Sequence, residues 1–101
     1  MEKILNYING ELIEPSSKSY IENIDPSCGK AYSLVPDSCA DDVHEAVKSA
    51  KFAYSYWSKT SKQERSNLLN KLADAIEENF DLLVKAESRD NGKPFSLAAK
   101  V

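Results

Sequence analysis

An α+β fold is the class this sequence predicts, with strands confined to residues 1–36 and three amphipathic helices to residues 38–92. Three observations point there. Asn9-Gly10 separates two apolar runs, Asp25-Pro26-Ser27-Cys28-Gly29 joins two more, and apolar residues recur three and four apart from Val43 onward. The strand–helix alternation of a complete parallel nucleotide-binding sheet is missing.

The first hairpin rests on turn chemistry. Asn and Gly both tolerate the positive φ of a type I′ turn, so Ile4–Ile8 is expected to fold back on Leu12-Ile13 with Tyr7 opposite Leu12. In the second, Tyr20–Ile24 and Ala31–Val35 are the strands. Pro26 presets the turn, and Gly29 can take the left-handed position before the second strand begins. The linker Glu14-Pro15-Ser16-Ser17-Lys18 is short and polar, hence expected to be exposed, and Pro36 ends the strand region.

Ser38 is the expected cap of the first helix, with Asp41 completing an imperfect capping box. Its stripe is Val43, Ala46, Val47, Ala50, Ala53, Tyr54 and Trp57, and the cluster Tyr54, Tyr56 and Trp57 reads as a helix end docking into a core. Ser61 caps the second helix with Glu64 at the box position; Leu68, Leu69, Leu72, Ala73, Ile76 and Phe80 form its apolar face. The third carries Leu82, Leu83 and Ala86, ends at Asn91-Gly92 in a left-handed cap, and is stopped by Pro94. Strands this few bury little by themselves, so at least one helix face is left wanting a partner.

One domain is the natural count for 101 residues that are 42% hydrophobic. With 13 basic against 16 acidic side chains spread along the chain, no stripe suits nucleic acid and no polybasic patch suits a membrane. No stretch is long enough to span a bilayer, and Met1–Asn6 lacks the apolar region of a signal peptide. A soluble protein of a reducing compartment, the cytoplasm, is expected.

Chemistry-bearing residues are sparse. Asp90 follows Leu83 and Ala86 at helical spacing and falls at a helix C-terminus, where the macrodipole disfavours negative charge. It needs a compensating partner: Arg89 or Lys93, turn amides, or a cation. Asn91-Gly92-Lys93-Pro94 is no phosphate loop, because its glycine closes a helix and does not open one. Cys28 sits in a turn and Cys39 at a helix start. His44 lies about one turn beyond Cys39 with no third group to complete a nucleophilic site. Both cysteines read as incidental, and His44 as solvated beside Glu45 and Lys48. Three glycines in all leave no room for Gly-x-Gly-x-x-Gly.

The order of short motifs says more than any of them alone. Tyr7-Ile8-Asn9-Gly10-Glu11 is followed by Ile24-Asp25-Pro26-Ser27-Cys28-Gly29-Lys30, then by Val35-Pro36, Asp42–Ala50 and Trp57. Glu64-Arg65, Leu69–Asp74 and Glu87-Ser88-Arg89-Asp90-Asn91-Gly92-Lys93-Pro94 complete the set. This succession resembles the amino-terminal segment of the aldehyde dehydrogenase superfamily over nearly the whole chain, and is most similar to the branch acting on 2-aminomuconic and 2-hydroxymuconic semialdehydes.

The resemblance implies that residues 1–101, as a fragment, form the amino-terminal part of an α/β cofactor-binding domain, with the catalytic domain absent. A parent enzyme would oxidise an aldehyde to a carboxylic acid with NAD or NADP. In that family a cysteine thiolate attacks the aldehyde, hydride passes to the nicotinamide, and a glutamate activates water against the thioester. These residues and the cofactor turn fall later in the family pattern, so none is carried onto this chain, which alone is expected to be inactive. A structural Na+ or K+ is also implied, held by Asp90 with main-chain oxygen from Asn23 and Ile24 and a further ligand from beyond the matched segment. Homo-oligomerisation is expected. The rival reading is a non-enzymatic helical interaction module derived from the same segment.

Overall fold

A computed structural model describes residues 1–100. The chain opens on a two-residue strand, β1 (Glu2–Lys3), and continues into β2 (Asn6–Ile8), β3 (Glu11–Ile13), β4 (Tyr20–Asp25) and β5 (Lys30–Pro36). Asn9 and Gly10 take φ of 54° and 79°, as a type I′ turn requires, and set Tyr7 opposite Leu12 in the antiparallel β2–β3 pair. The other sheet has the order β1-β5-β4. The expected strand Ile4–Ile8 is shortened to Asn6–Ile8, and a separate strand precedes it. Glu2 and Lys3 pair in parallel with Ser33 and Leu34, and the Ile4 amide donates to the Leu34 carbonyl at 2.8 Å before the chain leaves for the hairpin. A parallel pairing with a strand some thirty residues away leaves no local mark in sequence.

The linker is exposed at Glu14, Ser16, Ser17 and Lys18, as expected, with one exception. Pro15 is fully buried, and Lys18 turns at φ 55° with its amide bonded to the Pro15 carbonyl at 2.9 Å. Ser17 Oγ donates to the Asp37 carbonyl at 2.9 Å, closing the polar segment onto the chain after β5.

Helices α1 (Ala40–Trp57), α2 (Lys62–Glu78), α3 (Phe80–Asn91) and the single turn α4 (Phe95–Ala98) follow. The cap of α1 lies one residue later than the Ser38/Asp41 pair suggests: Cys39 is the N-cap, and its amide donates to Asp42 Oδ2 at 2.9 Å. Ser38 instead exchanges two hydrogen bonds with the Asn6 side chain, at 2.9 and 3.1 Å. Tertiary bonds therefore set the register. Ser61 caps α2 as expected, accepting from the Glu64 amide at 3.1 Å. Phe80 opens α3 and does not close α2, because Asn79 takes up the Ala75 carbonyl through its side chain at 2.8 Å and ends the helix there. Gly92 ends α3 at φ 78°, also as expected. Pro94 both stops α3 and serves as the N-cap of the unforeseen α4, where a missing N–H costs nothing.

The chain divides into two compact units, one of residues 1–24 with 31–59, the other of residues 25–30 with the chain from Thr60 on. Neither has a substantial apolar core. Among the described residues Ala98 alone is a buried hydrophobic, while Ser33 and Asp42 are buried polar groups. Tyr54, Tyr56 and Trp57 are 67%, 69% and 43% exposed, so the expected docking of that helix end into a core does not occur. The apolar stripes form at the predicted spacing and lie open, since two short sheets offer too little surface to cover them. No helix among the described residues is long and apolar enough to cross a membrane.

Candidate functional site

The second unit contains a polar construction where the β4–β5 turn meets the end of α3. Asp25 Oδ1 accepts from the Ser27 amide at 2.9 Å and from Ser27 Oγ at 2.6 Å, an Asx turn that fixes the Asp-Pro corner. Its Oδ2 lies 3.5 Å from Arg89 Nε, and the Asp25 side chain is only 13% exposed. The Ser27 hydroxyl first, then the Ser27 amide and the Arg89 charge, hold the Asp25 carboxyl below its ordinary range. Gly92 approaches Pro26 from the helix side. Ser88 Oγ donates to the Lys93 carbonyl at 2.6 Å, and Glu87 receives Lys93 Nζ at 2.8 Å and Asn91 Nδ2 at 2.7 Å. Lys93 and then Asn91 lower the Glu87 carboxyl accordingly. A cavity of about 300 Å3 opens beside this corner, lined by Asp25, Ser27, Lys85, Ser88, Arg89 and Phe95. Its carboxylate is already paired, so the arrangement positions chain and offers no free acid–base couple.

In the first unit the comparable device is Asp42. Its two oxygens accept the Ser16 amide at 3.0 Å and the Cys39 amide at 2.9 Å, tying the linker to the start of α1. Those amides, Cys39 first, lower its pKa. Sequence reasoning missed both Asp25 and Asp42. Asp42 stands three residues after Cys39, the spacing of a capping box, but a cysteine at the first position hides the signal.

Of the residues suggested for a cation, Asn23 and Ile24 lie in β4 and Asp90 is exposed on the last turn of α3. Asn23 Nδ2 donates to the Tyr32 hydroxyl at 2.9 Å. Arg89 and Lys93, the basic neighbours offered for Asp90, engage Asp25 and Glu87. No cluster of three or more His, Cys, Asp or Glu able to hold a metal occurs among the described residues.

Cys28 and Cys39 are both exposed, as the sequence suggests; Cys39 Sγ lies 3.1 Å from Ser16 Oγ. His44 is exposed on α1. Gly10 and Gly29 serve hairpin turns and Gly92 a helix C-cap, so no glycine presents amides at a helix N-terminus. These residues do not by themselves fit a dinucleotide phosphate.

An apolar groove of about 490 Å3 in the second unit has Ile76, Phe80, Leu83, Val84 and Leu97 on its floor. Glu87, Lys93 and Lys100 form its polar rim.

The description "Aldehyde dehydrogenase family" matches residues 12–100. A curated 2-aminomuconic semialdehyde dehydrogenase of Danio rerio is 48% identical over 96 residues, which are 95% of this chain and 19% of that protein. Among solved structures, an aldehyde dehydrogenase from Bartonella henselae superposes with a TM-score of 0.95 at 28% identity, over 100% of this chain and 21% of that one. An NAD-dependent aldehyde dehydrogenase from Sinorhizobium meliloti gives a TM-score of 0.91 at 31% identity, over 98% and 20%. The chain thus spans about a fifth of the length of the proteins it matches.

Proposed function

Since the chain belongs to the aldehyde dehydrogenase family, we propose that it supplies the amino-terminal frame of an enzyme oxidising an aldehyde to a carboxylic acid with NAD or NADP. The observation that carries this reading is the superposition of the described fold on an aldehyde dehydrogenase structure at a TM-score of 0.95. Semialdehydes of the muconic type are the proposed substrates, on the strength of the 48% identity to a relative named for one.

The chemistry falls outside these residues. The two thiols are exposed and the glycines serve turns and a cap, so this chain contributes shape: the clamped Asp25–Ser27 corner, the α3 terminus, and helix faces on which further polypeptide can pack. NAD or NADP, when bound to the whole enzyme, would accept the hydride. The 101-residue chain alone turns over no aldehyde. A Na+ or K+ held by Asp90 and the main-chain oxygens of Asn23 and Ile24 remains part of the proposal, as do a cytoplasmic location and homo-oligomeric assembly.

A second reading, a non-enzymatic helical interaction module, draws support from the open apolar stripes of α1 and α2. Segment replacement separates the two. Residues 1–101 are put in place of the matching segment of the Danio rerio relative, and semialdehyde-dependent NAD(P)H formation is measured. Activity within about 10-fold of the parent supports the enzymatic frame, a loss of at most ~1.4 kcal/mol of transition-state stabilisation. A soluble, folded and inactive replacement would favour the interaction module.

A further inference from the structure

Asn-Gly occurs twice in the sequence, at Asn9-Gly10 and at Asn91-Gly92, and the fold holds the two pairs differently. Glycine has no Cβ to shield its amide nitrogen, which can therefore reach the side-chain carbonyl carbon of the Asn before it. At Asn91 three hydrogen bonds stand against that approach. The Gly92 amide donates to the Ser88 carbonyl at 2.8 Å, Asn91 Nδ2 donates to Glu87 Oε1 at 2.7 Å, and Asn91 Oδ1 accepts from the Lys93 amide at 2.9 Å. The Pro26 ring crowds the same glycine. Asn9 is exposed at the hairpin tip, and its Oδ1 accepts from Ser49 Oγ at a longer 3.3 Å. The β2–β3 ladder closes at the Ile8–Glu11 pair, which leaves the Gly10 amide outside it with open space alongside.

We propose that Asn9-Gly10 is a site of self-modification, which gives the hairpin a finite chemical lifetime, while the fold protects Asn91-Gly92. The Gly10 nitrogen loses its proton and bonds to Asn9 Cγ; the Cγ–Nδ2 bond breaks and ammonia leaves, closing a succinimide. Water then opens the ring. Cleavage at the former side-chain carbonyl gives aspartate, and cleavage at the main-chain carbonyl gives isoaspartate, with no change of oxidation state. Isoaspartate adds a methylene to the main chain inside a two-residue turn. The φ of 54° and 79° that the turn requires can then no longer set Tyr7 opposite Leu12, and the tie from Ser49 on α1 is lost. Each hydrogen bond that must open first slows the attack by roughly 2- to 10-fold, so three of them separate the two sites by on the order of 10-fold or more.

The test incubates the 101-residue chain at mildly alkaline pH, folded and in concentrated urea, and follows both Asn-Gly peptides by mass mapping with an isoaspartate-resolving separation. In the folded chain Asn9 should convert on the order of 10-fold or more faster than Asn91, and in urea the two rates should converge. Gly10→Ala, which places a methyl beside the attacking nitrogen, should slow conversion at Asn9 and leave Asn91 as it was. Glu87→Ala keeps both Asn-Gly pairs and frees Asn91 Nδ2. It should speed Asn91 by roughly 2- to 10-fold without moving Asn9. Amide exchange of the isoaspartate fraction should show the β2–β3 pairing loosened. Equal rates in the folded chain overturn the inference, as does an Asn9 that converts in urea alone. A preference for Asn9 that persists undiminished in urea also overturns it, because neighbouring sequence and not the fold would then set the difference.

Discussion

Gly92 and Pro26 approach so closely that a Cβ on Gly92 would lie 3.0 Å from Pro26 Cγ. The helix cap and the hairpin turn therefore share one steric constraint beside the Asp25–Arg89 pair. Gly10 has nearly the same backbone, φ 79° against 78°, but a Cβ there would meet nothing within 4 Å. Gly10→Ala should thus lose only the left-handed backbone term, about 1–2 kcal/mol. Gly92→Ala should lose that and also displace the Pro26 ring. Thermal unfolding should rank Gly92→Ala below Gly10→Ala, and Pro26→Ala should narrow the gap. Equal effects would mean the contact carries no constraint.

Acid should loosen the linker before it loosens the helices. Asp42 and Asp25 both have folded pKa values below their ordinary 3.8, so the folded state binds fewer protons there than the unfolded chain. Their stabilisation is complete above about pH 5 and is lost as pH falls through the lowered folded values. Asp42→Asn should flatten the acid limb of a pH-dependent unfolding curve, because an amide cannot accept from both the Ser16 and Cys39 amides through two oxygens. An unchanged acid limb would count against the clamp.

The Asp25 carboxyl offers a sharper discrimination. Its depression comes first from the Ser27 hydroxyl and only later from Arg89, whose side chain is 58% exposed and screened by solvent. Ser27→Ala should therefore raise the Asp25 pKa more than Arg89→Gln does, read by carboxyl NMR titration. The opposite order would make the ion pair the dominant contact.

Capping energies should differ between the two serines read as caps. Ser61→Ala removes an observed bond to the Glu64 amide and should cost about 1 kcal/mol. Ser38→Ala removes an exposed exchange with Asn6 and should cost less, because Cys39 and Asp42 begin α1 without it. Urea unfolding of the two variants checks the order.

Local chemistry made much of this fold readable. The Asn9-Gly10 turn, the Tyr7–Leu12 register, the Ser61 cap and the Gly92 terminus each depend on residues within five positions of one another. What escaped depends on distant partners: β1 on Ser33 and Leu34, the anchoring of Ser16 and Ser17 on Asp42 and Asp37, the start of α1 on Ser16. The aromatic end of α1 was misjudged for a different reason. Helical spacing marks which residues share a face, and says nothing of whether enough chain is present to cover it. The Asp25–Ser27–Arg89 corner was hidden because an Asp-Pro turn reads as punctuation, while its carboxylate's second partner lies 64 residues away.

On the proposed function, these residues are frame and hold no catalyst. The most direct measurement is aldehyde-dependent NAD(P)H formation by the pure 101-residue chain across a range of semialdehyde concentrations. A rate indistinguishable from the protein-free blank is the predicted result. A rate that scales with chain concentration and saturates with aldehyde would contradict it and place a catalytic site among the residues described above.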